Sequence, residues 1–159
     1  LEMSELRSVP CEDDVELGPL SEEVLTDLAP LAEHKDIVLN CSGGALIIGS
    51  DTLLYRLVFN LVENAIRYSR PSSTVNVSIC DNNSHVFLRV EDQGPGIPEQ
   101  YRESIFQPFF RVDKSRSREH GGVGLGLSLV WEIAALHGGA VTVEESSEAG
   151  TVVLVTLRR

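Results

Sequence analysis

Residues 51–69, DTLLYRLVFNLVENAIRYS, carry the pattern that decides the fold. At about 100° per residue, Leu54, Leu57, Val58, Leu61, Val62 and Ala65 fall on one face. Asn60, Glu63, Asn64 and Arg67 gather on the opposite side within about 100° of arc, and Tyr68 flanks them. The spacing predicts a helix over Asp51–Tyr68 that packs its apolar side on a core and presents hydrogen-bonding side chains along one stripe.

Downstream, TVNVSIC (74–80) and HVFLRVE (85–91) alternate apolar and polar residues around DNNS, the pattern of an antiparallel hairpin with one buried face. Pro98 suits the first turn of a short helix running to Ser104, and residues 107–121 show no period. A second long helix is predicted from about Gly124 to His137, with Leu127, Val130, Trp131 and Ala134 inward and Gly138 as a left-handed C-cap. Two last strands, 140–145 and 151–157, pair through SSEAG. Upstream, residues 1–19 read as an irregular or extended entry. A helix starts at the N-cap Ser21, with Glu22 and Glu23 complementing its dipole and Leu20 stapled onto Leu25. Pro30 kinks or ends it. Short strands follow at 37–40 and 45–48. The sum is an α+β, two-layer sandwich: a mixed, mostly antiparallel sheet covered on one face by about three helices.

With 159 residues and 42% apolar content, the chain reads as one domain. At that length folding buries roughly 70% of the surface the unfolded chain exposes, so neither disulfide nor metal is required to hold it. The net charge of -11 is uneven: residues 1–39 hold eleven acids and two bases, leaving thirteen acids and eleven bases for the rest. Such a balance argues against nucleic acid, whose backbone is bound by clustered Lys and Arg. The local exception is Arg111, Lys114, Arg116 and Arg118, either a solvated loop or, from its place before a glycine-rich turn, a lid over phosphates. Cys11, Cys41 and Cys80 form no Cys-x-x-Cys and indicate neither zinc nor a disulfide framework, which fits a reducing cytosol. No apolar run approaches the roughly eighteen residues of a membrane span, so no membrane contact is expected.

Four separated stretches ask for one ligand: NLVENAIRYS (60–69), DQGPGIP (92–98), GGVGLGLSL (121–129) and GT (150–151). Gly122, Gly124 and Gly126 match Gly-x-Gly-x-x only loosely. They come late, after a long polar loop, and no acidic residue sits about twenty positions on at the end of a second parallel strand, so a dinucleotide fold is not indicated. No Gly-Lys-Ser/Thr occurs, which removes the Walker loop. Asp92 ends a strand and enters Gly94-Pro95-Gly96; a carboxylate there suits the exocyclic amino group of adenine. Asn64 offers a neutral oxygen that could complete a magnesium shell with phosphates and water. Glu63 could take a proton from a nucleophile. The glycines of GGVGLGL, opening a helix, suit phosphates. Each signal alone is weak; their combination points to ATP.

These residues resemble the catalytic ATP-binding domain of bacterial sensor histidine kinases, in the wider class with type II topoisomerases, mismatch-repair ATPases and heat-shock chaperones. The likeness covers about residues 22–158. NLVENAIRYS is similar to the family's N box, EDQGPGIP to its G1 box, IFQPFFRVDKSRS to its F box, GGVGLGLSLV to its G2 box and GTVVLV to its last glycine motif. The resemblance implies the Bergerat ATP-binding fold, with a lid at about 107–122 and residues 21–159 as the catalytic unit behind a linker from a missing dimerisation domain. It implies that Asn60, Asn64, Arg67 and Tyr68 line the phosphate and ribose side, with Asn64 on magnesium, and that Asp92 binds adenine. Gly94, Gly96 and Ile97 would shape the base pocket, with Thr151 behind the adenine. Arg111 would approach the γ-phosphate, and Gly122, Val123, Gly124, Leu125, Gly126 and Leu127 would cradle phosphates. Glu63 would assist the accepting histidine.

The family more often has Lys at position 67, and Arg presents a planar fork instead of a point charge. His34, His85, His120 and His137 are the only histidines, and none lies in the His-Glu-x-x-Thr-Pro type of context that the phosphoacceptor has. The resemblance therefore implies transfer of the ATP γ-phosphoryl group to a histidine on a separate dimerisation domain of the same kinase. A response regulator receiver domain would follow downstream, and this piece would work in the cytoplasm as a monomer. Two other readings stay open here: a free-standing ATPase in which Glu63 activates water, and a non-catalytic nucleotide-sensing module.

Overall fold

The computed structural model describes residues 9–107 and 126–159. In chain order the elements are β1 (Asp13–Glu16), α1 (Leu17–Glu33), β2 (Val38–Gly43), β3 (Leu46–Gly49), α2 (Asp51–Tyr68), β4 (Thr74–Asp81) and β5 (His85–Asp92). Two 3₁₀ turns (Glu99–Tyr101 and Ser104–Phe106) follow, then α3 (Gly126–Leu136), β6 (Ala140–Ser147) and β7 (Gly150–Arg158). Five strands form one sheet in the order β2-β4-β5-β7-β6, antiparallel except for the parallel β2–β4 pair. The mixed sheet, its helical cover and the α+β class are as the alternation predicts.

Period-2 alternation makes the sheet two-faced. Val75, Val77 and Ile79 of β4, Val86, Leu88 and Val90 of β5, and Val153, Val155 and Leu157 of β7 are buried on one face. Leu54, Leu57, Val58, Leu61, Val62, Ala65 and Ile66 of α2 join them in a single core with α1 and α3. The other face is polar: Asn40 donates to Asn76 at 3.2 Å, and Arg89 Nε donates to both Glu144 oxygens at 3.0 Å. A site built from one side of α2 therefore has its depth set by the packing of the other side on the sheet.

Some local expectations need correction. α1 starts at Leu17, four residues before Ser21, because Gly18 and Pro19 fall in its first turn, where a missing N–H costs nothing. Pro30 also lies inside this helix, which continues to Glu33. Residues 13–16 take the extended alternative and pair with β3 in a separate two-stranded ribbon, burying Val15 and Ile47. Trp131 is not inward. Val130 and Ala134 of α3 are buried as predicted, together with Ser128 and Ile133, but Trp131 is 49% exposed with its ring 5.9 Å from that of Phe106. The short helix after Pro98 appears as the two 3₁₀ turns. Gly138 does adopt the left-handed conformation, at φ +69°.

Ser21 is fully buried in α1, and its hydroxyl has no hydrogen-bond partner among the described residues. Removing a buried unsatisfied hydroxyl from a helix interior is favourable, and alanine is the better helix former. Ser21→Ala is expected to stabilise the chain by about 0.5–1 kcal/mol in urea unfolding. A loss of stability would mean that this hydroxyl is engaged after all.

Candidate functional site

Ser50 begins α2 as its N-cap, its Oγ accepting from Leu53 N–H at 3.2 Å. From there the helix carries Asn60, Glu63, Asn64 and Arg67 on one stripe, all half-buried, with Tyr68 45% exposed at its end. Glu63 and Arg67, one turn apart, lie 3.8 Å from each other. At that exposure such a pair is worth only tenths of a kcal/mol, so it orients the two side chains without locking them.

The two ends of this stripe meet different elements. Near its start, Asn60 Nδ2 donates to the carbonyl of Gly126, the first residue of α3, at 3.4 Å. At its end, the loop after β5 lies on the last turn: a Cβ on Gly94 would sit 2.5 Å from the Tyr68 carbonyl oxygen. The eight residue steps from Asn60 to Tyr68 span about 12 Å along the helix. The stripe thus runs from the start of α3 to the Asp92–Gly96 loop.

Asp92 is the last residue of β5 and pairs in register with Thr151 of β7. Its Oδ1 accepts from Gly94 N–H at 2.9 Å and Thr151 N–H at 3.2 Å. These two bonds fix the carboxylate plane. Burial pushes the carboxyl above the usual carboxylate range, the two N–H donors oppose it, and Glu91 adds to it. A buried carboxylate that is costly to ionise gains most from a further donor. Asp92 and Thr151 border a depression of about 200 Å³ at the β6–β7 turn, shared with Ser146, Ser147 and Gly150.

Several residues that hold this end together carried no sequence signal as single positions. Ser146 Oγ accepts from Ile97 N–H at 2.7 Å and lies 2.9 Å from Thr151 Oγ1. Arg102 donates to the Ile97 carbonyl at 3.3 Å and to the Ser146 carbonyl at 3.1 Å. Gly96 takes φ +85°, and a Cβ there would approach the Ser147 carbonyl oxygen to 2.3 Å, so the loop can lie flat on the hairpin only with glycine. Ser69 accepts from Gln93 N–H at 3.2 Å, and the Arg70 guanidinium donates to the Gln93 and Glu148 carbonyls at 3.0 and 2.6 Å. The only advance sign of Ser146 was its place in the turn SSEAG.

The structure therefore brings Asn60, Glu63, Asn64, Arg67 and Tyr68 on α2 together with Asp92, Gly94, Gly96, Ile97 and Thr151, and sets Gly126 beside Asn60. Leu127 is half-buried on the first turn of α3. Arg111, Gly122, Val123, Gly124 and Leu125 lie outside the described residues.

A family model described as histidine kinase-, DNA gyrase B- and HSP90-like ATPase matches residues 49–159, the stretch holding all of these elements. The chain belongs to this family. Among curated relatives of this ATPase-family domain is the sensor histidine kinase RppB of Synechocystis, 36% identical over 148 residues, which cover 92% of this chain and 32% of RppB. The sensor-like histidine kinase SenX3 of Mycobacterium tuberculosis is 33% identical over 162 residues, covering 99% of this chain and 40% of SenX3. The chain thus spans about a third to two fifths of the length of these relatives. Among solved structures, the mycobacterial sensor histidine kinase MprB superposes with a TM-score of 0.80 at 29% identity, over 92% of this chain and 97% of that one. The ATPase-family domain and its mixed sheet are thereby established. Among the described residues no helix is long and apolar enough to cross a membrane.

Proposed function

We propose that this chain is the ATP-binding, phosphoryl-donating part of a two-component sensor histidine kinase, working in the cytosol on a histidine carried by a separate dimerisation domain. A response regulator would receive the group downstream. The observation that carries the reading is the two-ended stripe of α2: Asn60 at the start of α3 and Tyr68 at the loop that follows Asp92. That arrangement suits an extended ligand with a base at one end and phosphates at the other.

In this reading Asp92 accepts from the adenine amino group, on a carboxylate already aimed by Gly94 and Thr151. Ile97, Gly94 and Gly96 shape the wall around the base, strapped down by Ser146 and Arg102. Asn60, Arg67 and Tyr68 line the ribose and phosphates, the residues from Gly122 to Leu127 cradle the phosphates, and Arg111 approaches the γ-phosphate. Among the described residues no group of three or more His, Cys, Asp or Glu side chains could hold a metal ion. A single neutral oxygen from Asn64 fits magnesium, which takes few protein ligands and shares its shell with phosphates and water. Bound there, magnesium would neutralise charge developing on the transferred phosphoryl group. Glu63, one residue before, would assist the accepting histidine. Catalysis is then mainly positioning and electrostatic stabilisation.

The test uses γ-labelled ATP and the histidine-bearing domain of a relative as acceptor. Label on that domain's histidine in the presence of this chain is expected. Steady release of free phosphate with an unlabelled acceptor would favour the ATPase reading instead.

A further inference from the structure

His137 is buried, 8% exposed, and has no part in the site described above. Its imidazole stands between two helices. Nδ1 lies 2.7 Å from the Ile133 carbonyl oxygen one turn back in α3, and Nε2 accepts from Ser50 N–H at 3.1 Å, across 87 residues of sequence. A carbonyl can only accept and an amide N–H can only donate, so the pair of contacts calls for the neutral ring with its proton on Nδ1. Gly49 leaves the space: a Cβ there would lie 2.6 Å from the ring Cδ2 and 2.7 Å from Nε2. His137 O also accepts from Arg158 N–H of β7 at 3.2 Å, which ties the ring's own backbone to the sheet.

Ser50 is the N-cap of α2, and Gly126 is the first residue of α3. Ser50 to Asn60 is ten residues, and Gly126 to His137 is eleven, so the two segments are about 15 and 16 Å long. They are joined at both ends, by Ser50 to His137 and by Asn60 to Gly126. Apolar packing between two helices tolerates small axial slips. Directional hydrogen bonds at the two ends resist such a slip, the buried 3.1 Å bond from Ser50 to His137 more than the exposed 3.4 Å contact of Asn60.

We propose that His137 is a positioning residue for ligand binding. Through Ser50 it sets the axial register of α2 against α3, and so places Asn60 and Asn64 relative to the start of α3. The inference rests on the proposed assignment of this stretch of α2 to the phosphate side of the ligand.

Two conservative variants separate this role from simple packing. His137→Gln can bring a side-chain oxygen to the Nε2 position and keep the bond from Ser50 while losing the one to Ile133. His137→Asn can keep the bond to Ile133 but cannot reach Ser50. Affinities for magnesium-ATP and for adenosine are measured on the whole chain by calorimetry, alongside thermal midpoints. The expected result is that His137→Asn loses about five-fold in ATP affinity with adenosine affinity unchanged, while His137→Gln stays within about two-fold for both. Should His137→Asn fold poorly, Gly49→Ala, which displaces the ring, is expected to give the same selective loss. An unchanged ratio of ATP to adenosine affinity in both His137→Asn and Gly49→Ala would overturn the inference. A parent chain that binds ATP no more tightly than adenosine would instead overturn the phosphate-side reading of α2 on which it rests.

Discussion

Asp92→Asn is expected to weaken ATP binding by at least about ten-fold, the effect of leaving a buried polar group wrongly paired at roughly 1–3 kcal/mol. Oδ1 of Asp92 is already held by Gly94 and Thr151 N–H groups. An amide can preserve those two bonds with its oxygen, but it then turns an NH₂ group toward the place where the adenine amino group would donate. Donor faces donor. The fold should barely change, so calorimetry on a chain with an unaltered unfolding midpoint isolates the ligand term. Unchanged ATP affinity would remove Asp92 from the base-reading role.

The same carboxylate gives a pH dependence of definite sign. Burial raises the Asp92 carboxyl above its ordinary value of 3.8 in the ligand-free chain. Ionised Asp92 therefore costs the ligand-free fold some stability above that raised value, and the cost disappears as pH falls through it. A base that donates to Asp92 favours the ionised form. ATP affinity should then decline as pH falls through the raised value, and binding there should release a proton. Calorimetry in two buffers of different ionisation enthalpy detects that proton. Asp92→Asn should abolish its release.

The second large effect is expected at Gly150. It takes φ +149°, and a Cβ at this position would lie 2.0 Å from the Asp92 carbonyl oxygen and 3.0 Å from its carbonyl carbon. Both contacts are backbone, so no side chain can rotate away to relieve them. Gly150→Ala combines an unfavourable conformation with overpacking, each of order 1–3 kcal/mol, so a loss of about 2–4 kcal/mol is expected in urea unfolding. The displacement falls on the β5–β7 register where Asp92 meets Thr151, so ATP affinity should fall with stability even when the variant remains folded. A variant with parental stability would show that the β6–β7 turn has another way to close.

What was legible in the sequence follows from period and order. The 3.6-residue pattern of α2 is sustained over five turns with no Gly or Pro, and the six residues it assigns to the core face are all buried. The alternation in β4, β5 and β7 is similarly clean because only one face of the sheet is covered. The start of α1 was not legible. Ser21-Glu22-Glu23 has the composition of an N-cap, but a cap is needed only where backbone donors are free, and here they are free four residues earlier, after the ribbon strand β1. β1 itself buries one side chain, Val15, too little to produce a period. Trp131 misled because a large aromatic is taken as core, whereas the tighter Ile133 and His137 fill that side of α3.

At the site, the residues whose chemistry stands out, Asp92, Asn60, Asn64 and the glycines, were visible as motifs. The residues that aim them were not. Ser146, Arg102 and His137 act through partners 44 to 87 positions away, and no local pattern encodes a contact of that separation.

The most direct test of the account follows bound nucleotide and released phosphate in the same samples of the purified chain with magnesium and γ-labelled ATP. The account predicts stoichiometric binding, almost no phosphate release, and no label on His34, His85, His120 or His137. Sustained release of phosphate from the chain alone would contradict it, because water would then be the natural acceptor.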